Sequence, residues 1–337
     1  MFKSKTRGVN PVFPSLAQKS KPVVYSSFAR SKIKLIGVGG AGCNTIFRIA
    51  SNFLKQREIE IFAVNTDAQS LKNNPCANKV LIGEKTTEGM GTGMDWKLGQ
   101  KAAEESIEEL REILKGAEIV FLTAGLGGGS GTSAISVLGG LAKSLNILTI
   151  AVITLPFSFE GVSRKKLAQM GLKNLQANAD AFLVIPNDQV LKIIGKDTSV
   201  EEAFLKIDRV LMAALEGIFD LLSCPGIINL DFADVEEVLK NSGKVLFGQG
   251  KASGEQRAIS AVSRALQSPL LDLSPKNAKG ILFNICGADV TLQEVSSIAN
   301  FIKKIADKKT KILFGVSEDK NLNKGEIKIN LIAAGIE

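Results

Sequence analysis

Ten residues, Gly125 to Ala134, read GLGGGSGTSA and hold five glycines and three hydroxyl side chains. An apolar run that reads as a buried strand, Ile119 to Ala124, precedes them, and a helix-like run, Ile135 to Leu145, follows. A strand, a glycine-dense turn and a helix start together make an anion site. Glycine permits positive φ and close backbone approach. The amide N–H groups and the positive end of the helix dipole then face the ligand. Ser130, Thr132 and Ser133 add hydroxyl donors. A plain surface loop of this composition is disfavoured by backbone entropy.

Two further glycine clusters end predicted strands. Gly37, Gly39 and Gly42 satisfy G-x-G-x-x-G between the strand Ile33–Ile36 and a helix running to about Lys55. Gly89, Gly91 and Gly93 precede a helix expected over Asp95 to Leu114, with Asp95 as its N-cap. In an open parallel sheet such loops lie together at the carboxyl ends of the strands. Three of them suit a nucleoside di- or triphosphate better than a dinucleotide. Asp67, the acidic residue a dinucleotide would need on its ribose, falls beyond the end of the second strand, Glu60–Val64. No G-x-x-x-x-G-K-[ST] run occurs, which excludes a P-loop nucleotidase.

A second constellation is Asn229-Leu230-Asp231-Phe232-Ala233-Asp234. Two carboxylates three apart at a helix start share one face. An N-cap followed by a first-turn acid accounts for the same spacing. The chain contains no histidine. Ser-His-Asp triads, imidazole bases and His-ligated metals are therefore excluded. Chemistry falls to carboxylates, cations, hydroxyls, backbone amides and a hard cation such as Mg²⁺. No residue is singled out as a metal ligand. The cysteines Cys43, Cys76, Cys224 and Cys286 are far apart, which points to a reducing compartment and away from zinc.

The 337 residues suffice for two domains with their own cores. The net charge of +8 is not spread evenly. Residues 1–32 carry seven Lys and Arg and no acid, leaving 35 basic against 34 acidic side chains on the rest. A nucleic-acid groove on the body is not implied. The Ser-, Lys- and Pro-bearing arm reads as a disordered solvated tail, an organelle-targeting presequence, or a membrane or partner contact. The longest apolar run, Ile147 to Phe157, is too short to span a bilayer.

Further strands are expected at Lys79–Ile82, Leu148–Thr154 and Ala181–Ile185. Alternating strands and helices up to that point predict a doubly wound, mostly parallel α/β domain. A long helix is expected over Val200–Ser223, with Phe204, Ile207, Leu211, Leu215, Ile218 and Leu222 on one apolar face. By spacing alone Phe204 reads as core. The remainder predicts a four-stranded sheet with helices, strands lying at Lys244–Gly248, Ile281–Cys286, Lys311–Val316 and Glu326–Ala333.

Taken in order, GVGGAGCN (37–44), AVNTDAQ (63–69), GLGGGSGTS (125–133), PFSFEG (156–161) with Arg164, IPND (185–188) and NLDFAD (229–234) resemble the FtsZ family, bacterial relatives of tubulin. The resemblance covers about residues 31–337. It implies a GTP-binding domain at 32–198, a central helix at 199–223 and a smaller α/β C-terminal domain at 224–337, after a disordered arm at 1–31. It implies Mg²⁺-dependent GTP hydrolysis to GDP and head-to-tail homopolymers that form a division ring. Gly40, Ala41, Gly42, Cys43, Asn44, Gly131, Thr132 and Ser133 would hold phosphates and sugar. Glu160 and Arg164 would meet the ribose side. Phe204 would stack on guanine, and Asp208 would accept from its N1–H and amino group. Asn229, Asp231 and Asp234 would complete the site on the next subunit's nucleotide.

The chain departs from the family pattern at Ser130, where threonine is usual, and at Ser133, where glycine is usual. A side chain at 133 is expected to crowd the phosphates or force another φ, and a scaffold that binds GTP but hydrolyses slowly is the corresponding alternative. An NAD-dependent oxidoreductase built on residues 37–42 is another. No long linker or terminal peptide follows the last strand. Anchoring through such a peptide is therefore not expected, and the basic arm could serve instead, with division proteins as further partners. The expected location is the division site in the cytoplasm, or a plastid or mitochondrion if the arm is a presequence.

Overall fold

A computed structural model describes residues 33–53, 59–191, 198–223, 226–268, 277–319 and 321–336. The basic arm, and with it Cys224, lies outside the described residues. The first half alternates strands with helical connections: β1 (Ile33–Val38), α1 (Gly39–Phe53), β2 (Ile59–Asn65), α2 (Ala68–Asn73), β3 (Asn78–Leu81), α3 (Glu84–Thr87), α4 (Trp96–Glu105), α5 (Ile107–Leu114), β4 (Ile119–Gly125), α6 (Gly129–Ser144), β5 (Leu148–Leu155), α7 (Val162–Asn178) and β6 (Ala181–Pro186). Then come α8 (Asn187–Leu191), α9 (Val200–Ser223), α10 (Phe232–Leu239), β7 (Gly243–Ser253), α11 (Arg257–Leu266), β8 (Gly280–Gly287), α12 (Leu292–Ile305), β9 (Lys311–Ser317) and β10 (Glu326–Ala334).

The ten strands form one sheet, ordered β3-β2-β1-β4-β5-β6-β7-β10-β8-β9. Every neighbouring pair from β3 to β7 is parallel. β10 runs antiparallel to both β7 and β8, and β9 is parallel to β8. All strands except β10 therefore point one way, giving the sheet a carboxyl edge and an amino edge. β1 and β4 are covered on both faces, so both are largely apolar rather than alternating, and the buried Lys34 of β1 donates to the Lys115 carbonyl and pairs with Glu60. This is the doubly wound, mostly parallel architecture expected for the first half, with the long helix and a smaller α/β part after it. Residues 31–337 form one compact unit. One buried cluster is confined to the first half and one to the last. A third joins β1, β4, β5 and α9 to β7, β8 and β10.

The helix expected over 95–114 is two helices. They break at Ser106, whose buried hydroxyl accepts a hydrogen bond from the Gly83 amide at 3.0 Å. The chain bends where that side chain serves a neighbouring segment. Asp95 caps α4 as expected, accepting from the Leu98 amide at 3.1 Å. On α9, Ile207, Leu211, Leu215 and Ile218 are buried. Phe204, expected on the same face, is 42% exposed.

The joint between the two halves is narrow. β6 and β7 pair over only three residues. Asp180, 3% exposed, reinforces it. Its carboxylate accepts from the Thr149 amide at the start of β5 (2.9 Å) and the Asn241 amide before β7 (3.3 Å). Asp180→Ala leaves both amides without their acceptor and is expected to cost about 2 kcal/mol, while Asp180→Asn retains part of it. Urea unfolding of the two variants checks this; equal loss in both would mean that the carboxylate's acceptor geometry is not what matters.

Candidate nucleotide site

A cavity of about 570 Å³ opens at the carboxyl edge, where β1, β4 and β5 deliver their loops. One wall is the start of α6. Gly127 has φ 106°, and its amide donates to the buried Thr132 Oγ1 at 2.9 Å, which tightens the turn. The turn then presents Gly128 to Gly131 to the cavity at the helix's positive end. A second wall is the start of α1, through Gly40, Ala41 and Asn44. The two loops touch: a Cβ on Gly39, itself at φ 71°, would lie 2.7 Å from the Gly131 backbone. Only glycine permits that approach.

Three hydroxyls link the loops beneath the cavity. Ser130 Oγ lies 2.6 Å from Thr66 Oγ1 and 3.0 Å from Thr92 Oγ1. The segment 88–94 that carries Thr92 includes Glu88, Gly89, Gly91, Gly93 and Met94 at positive φ.

The side of the cavity past β5 holds Thr154, Glu160 and Arg164. Arg164 and Glu160 pair at 3.0 Å, and the other Glu160 oxygen accepts from the Phe157 amide at 2.8 Å. The far wall is α9. Phe204 meets Phe157 edge-on, with centroids 5.7 Å apart, and Phe157 stacks on Phe159 at 4.8 Å. Asp208 is 6% exposed and pairs with Arg48 Nε at 2.6 Å. Thr45 Oγ1 lies 3.4 Å from its other oxygen. Burial pushes the Asp208 carboxyl up, and the Arg48 guanidinium opposes that shift.

Of the residues singled out from sequence, Gly40, Ala41, Asn44, Gly131, Glu160, Arg164, Phe204 and Asp208 line this one cavity. Gly42, Cys43, Thr132 and Ser133 stand behind its wall. A Cβ on Gly42 would meet the Thr123 carbonyl at 2.4 Å. Cys43 is 1% exposed, its Sγ lies 3.5 Å from the Gly37 and Val64 carbonyls, and burial pushes its thiol up to about 12. Ser133 does not crowd the cavity. Its hydroxyl donates to the Gly129 carbonyl at 2.7 Å and faces Gly99 of α4, with ordinary helical φ. The expected clash is corrected by helix geometry: residue 133 lies a turn inside α6, on its α4 side. Arg48 and Thr45 were not singled out, although Arg48 lies four residues from Asn44, one helical turn along the same face. Thr66 and Thr92 carry no local signal; only the fold brings them to Ser130.

Asn229, Asp231 and Asp234 are elsewhere. Asn229 Oδ1 accepts from the Gly226 amide at 2.5 Å. Asp231 occupies the N-cap position of α10 but makes no side-chain cap bond and is exposed. Asp234 lies 3.6 Å from Lys311 Nζ at the start of β9, while Ile228, just before Asn229, pairs with Val316 near that strand's end. From Asp208 to Ser223 the α9 axis alone advances about 22 Å. Asp67 caps α2, accepting from the Ser70 amide at 2.8 Å, and is committed there rather than to a ribose. Among the described residues no three acidic or cysteine side chains cluster as a metal cage.

Residues 32–195 match the family described as "Tubulin/FtsZ family, GTPase domain", and residues 243–337 match "FtsZ family, C-terminal domain". The chain is 42% identical over 322 residues to "Cell division protein FtsZ 1" of Pyrococcus abyssi, covering 96% of this chain and 85% of that protein. With the protein of the same name from Pyrococcus horikoshii it shares 41% identity over 333 residues, covering 99% and 88%. A solved structure of FtsZ from M. jannaschii, described as an empty dimer, superposes with a TM-score of 0.86 at 38% identity, covering 93% of this chain and 90% of that one. CetZ2 from Haloferax volcanii shares the fold, with a TM-score of 0.78 at 24% identity over 91% of this chain and 93% of that one.

Ser133→Ala removes one buried hydrogen bond on the α4 side of α6. Its expected cost is about 1 kcal/mol of stability, with GDP affinity unchanged. Thermal unfolding and a GDP titration check this; loss of affinity without loss of stability would return Ser133 to the phosphate site.

Proposed function

This chain belongs to the FtsZ family, and from that premise we propose that its carboxyl-edge cavity binds GTP and that a second copy, stacked head to tail, completes the hydrolytic site in filaments of the division ring. The separation of the cavity from Asp231 and Asp234 carries this reading. Phe204 and Asp208 stand in the first turns of α9, whereas Asp231 and Asp234 follow its far end, so the length of that helix keeps the two sets apart within one chain. A contact between unlike ends does not close on itself and generates a filament.

Within the cavity, the α6 amides and the glycines of α1 receive phosphate oxygens that backbone dipoles already face. The half-exposed ring of Phe204 offers a platform for a flat base, and the Asp208 carboxylate offers two acceptors for the N1–H and amino group of guanine. Glu160 and Arg164 stand where the ribose would lie. From the next copy, Asn229 and the two carboxylates would orient the attacking water and take up its proton in a site lacking histidine. The donor set suits Mg²⁺, since hydroxyls and phosphate oxygens are hard ligands and this ion rarely needs a protein cage. When bound it would neutralise phosphate charge. No observation favours the slow scaffold, because Ser133 points away from the cavity, and Asp67 is unfavourably placed for NAD.

The archaeal relatives are called cell division proteins, which supports action at the division site and a cytoplasmic location over an organelle. No helix among the described residues is long and apolar enough to cross a membrane. Attachment through the basic arm is part of the proposal. Deleting residues 1–31 is expected to weaken binding to anionic vesicles, and unchanged binding would end that part of it.

GTPase rate per subunit, followed against protein concentration with Mg²⁺ present, should rise from near zero above a critical concentration. A concentration-independent rate would overturn the shared site. Asp231→Ala should bind GTP and assemble while turnover falls about 100-fold. Mixing it with a variant disabled in the cavity, such as Gly131→Val, should restore part of the rate, because half of the mixed contacts then pair an intact cavity with intact carboxylates.

A further inference from the structure

Arg48 stands out among the cavity's side chains. It projects from α1, one turn past Asn44, and its Nε meets the Asp208 carboxylate of α9 at 2.6 Å. Asp208 is 6% exposed, whereas Arg48 keeps 38% of its side chain in contact with solvent. The pair joins the two helices that form opposite walls of the cavity. Thr45 Oγ1, also from α1, is the other polar group against the carboxylate. The remaining charges lining the cavity are Glu160, Arg164 and Glu201, of which Glu160 and Arg164 are paired with each other.

We propose that Arg48 determines the base specificity of this site by holding Asp208 in its ionised form. The inference rests on the reading of the cavity as a guanine-nucleotide site. Its chemistry is that of one carboxyl group with two faces. Ionised, Asp208 presents two acceptors and no donor. That pattern complements guanine, whose N1–H and 2-amino group both donate. Protonated, the same side chain presents one donor and one acceptor. That pattern complements adenine, whose N1 accepts and whose 6-amino group donates. A single proton on Asp208 therefore inverts the preference of the site.

Burial favours the protonated form. It is the largest influence on Asp208 and raises its pKa; the charge and hydrogen bond of Arg48 and the hydroxyl of Thr45 act in the opposite direction. Arg48 is thus a positioning residue in the electrostatic sense. It contacts the carboxylate that reads the base and fixes which of two hydrogen-bond patterns that carboxylate offers. Removing it leaves the desolvated carboxyl with only the hydroxyl of Thr45 against the shift, and the acid becomes neutral at a higher pH.

GDP and ADP binding to the full chain, titrated below the assembly concentration between pH 5.5 and 8.5, isolates the effect. Diphosphates remove hydrolysis, and the ratio of the two affinities cancels protonation of the phosphates. Wild type is expected to prefer GDP at pH 8. Arg48→Met should lower the ratio at least tenfold at neutral pH, move its pH dependence upward and recover at the alkaline end. Arg48→Lys, which keeps the charge, should restore much of it. In an Asp208→Asn background, which has no proton to titrate, Arg48→Met should leave the ratio unmoved. Equal loss of GDP and ADP affinity in Arg48→Met with an unshifted pH profile would reduce Arg48 to a structural support and overturn the inference. If Arg48→Met fails to fold, Arg48→Gln takes its place: a GDP-to-ADP ratio equal to that of wild type across the pH range overturns the inference. Failure of wild type to bind either nucleotide would instead remove the guanine reading on which it rests.

Discussion

The length of α9 is the constraint on which the rest depends. Its 24 residues extend about 36 Å. The first turns carry Phe204 and Asp208 into the cavity wall, and the last turn delivers the chain to Asn229 and Asp231. A helix buried along Ile207, Leu211, Leu215 and Ile218 cannot bend to bring its ends together. Phe204 and Asp208 are therefore held apart from Asp231 and Asp234 within one chain, and under the proposed function a second chain would bring the two sets together. The core that joins both halves is built on this same helix. Its packing serves stability and sets the spacing of the functional groups at once.

Much of this was legible in the sequence because it is local. Glycines at 37–42 and 125–131 mark strand ends, whereas those at 89–93 follow the short helix α3, and every strand but β7, which runs on to Ser253, falls within two residues of its expected bounds. Those signals depend on periodicity and turn chemistry, which neighbours in sequence determine. The break at Ser106 was not legible, because its cause is the Gly83 amide 23 residues away. Phe204 shows the limit in the other direction. Its spacing places it with the buried face of α9, yet its ring is half exposed to the cavity. Only the family resemblance separated it from Leu211.

The cavity divides by the same criterion. A residue contributing backbone, such as Gly131, could be reached from the strand–turn–helix pattern, and Gly40 came with the family resemblance. Residues whose side-chain direction matters could not. Ser133 and Thr132 look like phosphate ligands in a string of hydroxyls, but one helical turn rotates them out of the cavity, toward α4 and the Gly127 amide. Arg48 and the hydroxyls of Thr66 and Thr92 gain meaning only from partners on other elements.

The distribution of charge shows how a histidine-free site can still respond to protons. Five other acids among the described residues have shifted carboxyls: Glu105, Asp289, Glu294, Asp319 and Glu326, all moved downward, with Glu294 at about 2 beside Arg257. Their folded pKa lies below the unfolded one. Each therefore contributes stability above its ordinary pKa and loses it as pH falls through the depressed value, so these groups act in acid and leave neutral pH alone. Asp208 alone among them moves upward. Among the described residues the one acid biased toward neutrality thus stands in the cavity wall, opposite a cation and apart from Asp231 and Asp234. Under the proposed reading, a proton taken up by Asp208 would bear on which nucleotide is recognised rather than on how fast it is cleaved.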